Sequence, residues 1–194
     1  MENSFYYWGP LLYKTKISEE DLGKLSSLCK KEKEKNCNHH LAGHLLNQFQ
    51  INTEEYVSIV NKYFSGFLKT FEHFYVNQCK SMTCHEAWVN YMQAGDYNPP
   101  HIHRGCDFSS VLYLNIPREI EAEAKNYKGT LGFEGGPGAI TFYHGESIDY
   151  NISCHPFFPR RGDFFIFPAT LRHSVFPFKS KVERISIAAN FKVR

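Results

Sequence analysis

The sequence predicts a mainly β fold with its helices gathered at the N-terminal end, on three observations. From about residue 80 onward it breaks into short β-favouring runs punctuated by glycine and proline. Before that point two segments carry helix-start signals and apolar residues at three- and four-residue spacing. No Pro/Ser/Gly-rich linker and no internal repeat divides the 194 residues, a length that fills one core. Together these argue for one domain, a closed or double-sheeted β structure buttressed on one side.

Phe5 to Thr15 is aromatic and β-favouring. Ser18 then stands as an N-cap, with Glu19, Glu20 and Asp21 in the first turn of a helix expected from about Glu19 to Lys35. A second helix begins after Asn52 or Thr53; its stripe of Tyr56, Val57, Val60, Phe64, Phe67, Leu68, Phe71 and Phe74 requires a covering surface and reads as core. Strands are expected at Ala87 to Met92, Phe108 to Ile116, Gly129 to Phe133, Ala139 to Tyr143, Asp163 to Phe167, Arg172 to Phe176 and Arg184 to Lys192. Gly135-Gly136-Pro137-Gly138 reads as a tight turn, since no helix signal follows it. Pro117 to Lys128 and Gly145 to Arg161 read as variable loops suited to substrate contacts.

Charge excludes some functions. With 22 basic and 20 acidic residues, net +2, there is no nucleic-acid footprint, and the sign-alternating run Lys30 to Lys35 is a solvated helix face. Six cysteines without a Cys-x-x-Cys pair fit reduced thiols in a cytoplasmic protein. No basic-then-apolar start and no run long enough to cross a bilayer are present, so no membrane partner is expected. The sequence sets no oligomeric state.

The chemistry lies in the histidines. His101 and His103 follow Pro99-Pro100, and residues i and i+2 of a strand share a face, so the two can hold one metal. A third, His173, follows the apolar run Asp163 to Phe167. A hairpin centred near Lys179 and Ser180 is expected to set His173 opposite Ser186, with Arg184 ~6 to 7 Å along the same face. Arg184 offers a bidentate fork for a carboxylate and Ser186 a hydroxyl donor, a clamp about one small dicarboxylate away from the metal. The Cys37, His39, His40, His44 cluster fits no zinc module, and His73, His85, His144 and His155 read as structural.

The stretch Trp88-Val89-Asn90-Tyr91, Gly95, Pro100-His101-Ile102-His103, Ser109 to Leu114, Gly162 to Pro168, His173 and Arg184-Ile185-Ser186-Ile187 resembles the Fe(II)/2-oxoglutarate-dependent oxygenases. The likeness is strongest to a His-x-His branch of that superfamily found in bacteria and phages. It implies a double-stranded β-helix (jelly roll, cupin-like) buttressed by two helices, in a single oxygenase domain over 1–194. Residues 1–80 would supply a strand and supporting helices, and 81–194 the jelly-roll core. It implies Fe(II) held by His101, His103 and His173, and 2-oxoglutarate clamped by Arg184 and Ser186, its carboxylates also within reach of Asn90 and Tyr113. O2 would complete a hydroxylase centre in which the iron acts with no separate acid or base. The chain departs from the superfamily pattern at His103, which stands where a carboxylate is usual. Either the site has three histidines, the expected case, or Asp107 turns back to serve. The substrate would be a peptide or protein, an amino acid or a small metabolite. Two rivals are a three-histidine cupin-type dioxygenase without 2-oxoglutarate, which would leave the Arg184/Ser186 clamp idle, and a catalytically silent jelly-roll binding protein.

Overall fold

The longer strands after residue 86 are buried almost without interruption, as strands covered on both faces are. The computed structural model describes residues 3–7, 9–31, 36–37, 41–75, 81–128, 135–146, 148 and 152–194. Among these, β1 (Ser4–Tyr7), β2 (Leu11–Lys16), β3 (Gln48–Gln50), β4 (Met82–Met92), β6 (Phe108–Asn115), β9 (Asp163–Pro168) and β11 (Arg184–Val193) form a major sheet in the order β1-β2-β9-β6-β11-β4-β3. β5 (Asn98–His101), β7 (Ile140–Tyr143), β8 (Cys154–Phe157) and β10 (Arg172–Val175) form a minor sheet in the order β5-β10-β7-β8. Pairing is antiparallel throughout. From β4 to β11 the chain passes back and forth between the sheets, which is the double-stranded β-helix.

Helices α1 (Glu19–Lys31), α2 (Thr53–Val60) and α3 (Phe64–Tyr75) cover the outer face of the major sheet. Ser18 Oγ accepts from the Asp21 amide and Asn52 Oδ1 from the Glu55 amide, so both expected caps are made. The second helix is not continuous: a 3-10 turn at Asn61–Tyr63 separates α2 from α3. That tighter turn leaves the Tyr63 hydroxyl donating to Asp21 Oδ2 at 2.6 Å, which ties α1 to the α2–α3 corner. Phe64 packs 4.9 Å from the Phe191 ring and Phe67 4.9 Å from Phe108, so the stripe belongs to the core from Tyr56 to Phe71, whereas Phe74 at its end is exposed. Burying each such ring contributes ~1.5 to 3 kcal/mol. A second core, with Phe142, Phe165, Phe167 and Phe178, fills the space between the sheets.

Several expectations need correction. Phe5 to Thr15 is two strands, β1 and β2, paired as a hairpin. The presumed loop at Pro117 to Lys128 contains α4 (Arg118–Asn126), and Gly145 to Arg161 contains β8. The expected strand Gly129 to Phe133, the helix end 32–35, Cys79, Tyr150, and His39 and His40 of the zinc-like cluster lie outside the described residues. Most consequential, β10 and β11 do not form a hairpin. Both edges of β10 are taken by β5 and β7, and both edges of β11 by β4 and β6, so neither has a free edge for the other. The connection 176–183 instead crosses between sheets, with Phe178 buried between them. Glu123 of α4 latches it, accepting from the Lys179 and Ser180 amides at 2.9 Å each and from Ser180 Oγ at 2.7 Å. Among the described residues no helix is long and apolar enough to cross a membrane.

Candidate metal and anion site

The inner face of the major sheet turns polar where an apolar filling would be expected. Alternation places Arg184, Ser186, Ala188 and Asn190 of β11 inward, and register aligns them with β4 and β6 in rows. Ser186 lies between Asn90 and Tyr113; Ala188 lies between Trp88 and Val111; Asn190 lies between Glu86 and Ser109. These rows wall a cavity of about 370 Å³ whose opposite side carries His101, His103 and His173.

His101 is the last residue of β5 and is the register partner of His173 on β10. The strand stops there, so His103 is not held by strand alternation; its backbone N–H donates to the Ala169 carbonyl at 2.8 Å. Nitrogen atoms of the three rings all lie within 4.8 Å of one another. His103 Nε2 and His173 Nε2 are 3.4 Å apart. His101 Nδ1 lies 2.7 Å from the Pro99 carbonyl and His173 Nδ1 2.9 Å from the Leu171 carbonyl. A carbonyl only accepts, so each Nδ1 carries the proton and each Nε2 presents a lone pair inward. Burial lowers the pKa of all three rings, His103 to about 4 and His173 well below its ordinary value, and their mutual repulsion adds to this for His103 and His173. Neutral imidazoles with converging lone pairs are what a divalent cation needs. Among the described residues no other trio of His, Cys, Asp or Glu converges in this way.

Asp107 is not brought to this group. It is exposed, and its Oδ2 accepts from the Val193 amide at 2.9 Å, at the far end of β11. His44 also lies elsewhere, its ring stacked on Tyr97 at 4.6 Å.

Arg184 is 2 % exposed, yet among the described residues no carboxylate pairs with it. Nη1 donates to the Gly138 carbonyl at 3.0 Å, the guanidinium carbon lies 5.5 Å from the Tyr113 ring centre, and Nε has no partner. Gly138 is the expected tight turn, with φ of +73° and a would-be Cβ 2.5 Å from Ile120, so another residue there would displace this carbonyl. The Tyr113 hydroxyl is also buried without a partner, and burial pushes its pKa up to about 12, so it remains a donor. A buried cation beside an idle hydroxyl is costly unless an anion joins them. Ser186 is not opposite His173, as the hairpin expectation had it; it receives a 3.5 Å bond from Asn90 Nδ2. Asn90 Oδ1 in turn accepts from Gln48 Nε2 at 2.7 Å. Gln48, on the short β3, carries no motif that would single it out.

A family model described as a putative 2OG-Fe(II) oxygenase matches residues 86–190. No curated relative matches the chain by sequence. Among solved structures, a Pseudomonas putida prolyl-4-hydroxylase is similar with a TM-score of 0.58 at 16% identity, over 94% of this chain and 92% of that one. The viral collagen prolyl hydroxylase of Paramecium Bursaria Chlorella virus-1, in complex with 2OG, gives 0.56 at 17% identity over 94% and 96%. HygX from Streptomyces hygroscopicus, with nickel, 2-oxoglutarate and hygromycin B bound, gives 0.56 at 8% identity over 93% and 82%. Likeness at such identities is one of fold.

Proposed function

The chain belongs to the 2OG-Fe(II) oxygenases, and we propose that His101, His103 and His173 hold its Fe(II) while Arg184, with Ser186, Asn90 and Tyr113, holds 2-oxoglutarate. The protein is a 2-oxoglutarate-dependent dioxygenase with Fe(II), 2-oxoglutarate and O2 as its cofactor set. When bound, that set supplies oxidative decarboxylation of 2-oxoglutarate to succinate and CO2, coupled to hydroxylation of a substrate C–H bond.

The observation that carries the site assignment is one cavity lined both by three neutral histidines and by a buried arginine with no counter-ion among the described residues. The carbonyls of Pro99 and Leu171 keep two imidazoles in the ligating tautomer. Arg184 takes the distal carboxylate of the cosubstrate in a charge-assisted fork, and the Tyr113 hydroxyl donates to the same group. Phe167 and Phe142, packed on His173 at 4.8 and 5.9 Å between ring centres, keep water off that side of the metal position. Three neutral ligands leave the metal its full double charge, which a dianionic cosubstrate balances. A three-histidine dioxygenase without cosubstrate would leave Arg184 buried and uncompensated, which favours the 2-oxoglutarate reading. The substrate belongs to the peptide, amino-acid or small-metabolite classes, and free thiols at Cys29, Cys37, Cys84, Cys106 and Cys154 favour a reducing, cytoplasmic setting.

The test supplies Fe(II), 2-oxoglutarate and O2, follows succinate, and measures bound iron. Wild-type protein forms succinate; His103→Ala loses iron; Asp107→Asn keeps it. Iron retained by His103→Ala and lost by Asp107→Asn would transfer the third ligand to the carboxylate.

A further inference from the structure

Past Ala188 the cavity wall changes character again. Asn190 is next on the inward face of β11, and with its register partners Glu86 and Ser109 it lines the cavity toward the rim. Asn190 Nδ2 donates to Glu86 Oε1 at 2.6 Å, and Ser109 Oγ donates to the Ala189 carbonyl at 3.4 Å. Those two bonds commit an amide N–H and the hydroxyl proton, and acceptors remain. Asn190 is 4 % exposed, and its Oδ1 is buried with no partner. Glu86 is exposed at the rim, and among the described residues no cation lies within ion-pair distance of it. An amide oxygen held in place by a bond from its own NH2, beside a carboxylate that no cation neutralises and a hydroxyl whose proton is used, awaits a donor-rich cation.

We infer that Glu86, Asn190 and Ser109 form the substrate-binding subsite and that it takes a primary ammonium group, with Asn190 Oδ1, the Glu86 carboxylate and Ser109 Oγ receiving its three N–H donors. The inference rests on the metal and cosubstrate reading above, since the histidines are what make this row a substrate site. The Trp88 ring, level with Ala188, is 6.1 Å from that of His103. One row is ~6.6 Å of strand, so an ammonium seated at Asn190 extends its carbon chain back toward the histidines. Arg184 lies the other way, ~13 Å from Ala188 along β11, so cosubstrate and substrate approach the metal position from opposite ends.

The probes are L-lysine, 1,5-diaminopentane and the capped tripeptide acetyl-Gly-Lys-Gly-amide, each beside its fully N-acetylated form. Binding is read by calorimetry on protein loaded with Fe(II) and 2-oxoglutarate under anaerobic conditions, and again on metal-free protein. At least one free amine binds saturably, acetylation weakens it more than tenfold, and Glu86→Gln does the same while 2-oxoglutarate affinity stays within twofold. Gln keeps an acceptor for Asn190 and the side-chain shape, so its effect reports the charge. Preference for the diamine or lysine identifies a free metabolite as the source of the ammonium, and preference for the tripeptide identifies a protein side chain. No saturable binding of any free amine, equal binding of the acetylated forms, or unchanged amine affinity in Glu86→Gln would overturn the subsite. If 2-oxoglutarate still binds in those cases the oxygenase reading stands, whereas wild-type protein that fails to bind 2-oxoglutarate overturns that reading and the inference resting on it.

Discussion

Replacing Arg184 with Met separates a ligand clamp from a structural cation, because the two predict opposite effects on the ligand-free protein. Arg184 is 2 % exposed, gives one bond to the Gly138 carbonyl, rests over Tyr113, and has no carboxylate partner among the described residues. Holding an uncompensated charge there costs several kcal/mol, on the order of what breaking a buried pair costs. Met fills a similar volume without that cost, while losing the charge-assisted Gly138 bond forfeits ~1.5 to 3 kcal/mol and losing the Tyr113 contact ~1 kcal/mol. The ligand-free variant is therefore expected to melt no lower than wild type. Two charge-assisted bonds to a carboxylate are worth ~1.5 to 3 kcal/mol each, so 2-oxoglutarate affinity falls by roughly two to four orders of magnitude. Anaerobic equilibrium titration gives the affinity, and melts with and without ligand give the linkage. At 100 times the wild-type Kd, 2-oxoglutarate adds ~2.7 kcal/mol to the wild type and almost nothing to the variant. A variant that melts several degrees lower without ligand, yet binds 2-oxoglutarate within threefold of wild type, refutes the clamp.

Tyr113→Phe removes a hydroxyl that bonds nothing among the described residues, so stability holds while 2-oxoglutarate binding weakens roughly ten- to a hundredfold, the worth of one bond to a charged group; the same titration decides, and unchanged affinity assigns the hydroxyl no role. Acid tests the α1 corner: Lys62, then Tyr63 and Ser18, hold the buried Asp21 carboxylate below its usual range. A depressed folded pKa contributes stability that is fully present above the unfolded value, ~3.9, and is lost as pH falls through the folded one. Asp21→Asn is thus expected to cost ~1 to 3 kcal/mol at pH 7, discounted for the exposed Lys62, and to narrow its deficit below pH 4; denaturation curves at pH 7 and pH 3 that shift in parallel would contradict this.

The sheet content and the helix starts were legible because they rest on local chemistry. Ser18 and Asn52 cap where short polar side chains before acidic turns should, and alternation such as Leu112, Tyr113, Leu114 sends residues to opposite cores whatever the topology. Alternation along β11 could also have exposed Asn190 as an inward polar residue after Arg184 and Ser186. The signal for α4 was present too: Pro117 at the cap, glutamates in the first turn, and Ile120 four residues before Ala124. Pairing was not legible. Adjacency in sequence suggests a hairpin for β10 and β11, whereas a jelly roll sends most consecutive strands to different sheets, and nothing local to Phe176 through Glu183 marks the crossing. Gln48 and Glu86 reach the cavity only through pairings of that non-local kind.

The absence of a β10–β11 hairpin changes how the spacing between His173 and Arg184 can be adjusted. Across a hairpin, two residues can shift relative to each other only in whole register steps, each of which turns every side chain over. Between facing sheets the separation follows the volume of whatever is packed there, so a methylene gained or lost at Phe142, Phe165 or Phe178 moves histidine and arginine by fractions of an ångström. The aromatic filling is in that sense a set of shims, and fine tuning of this centre toward a longer or shorter oxoacid is open to substitutions that touch neither end of it.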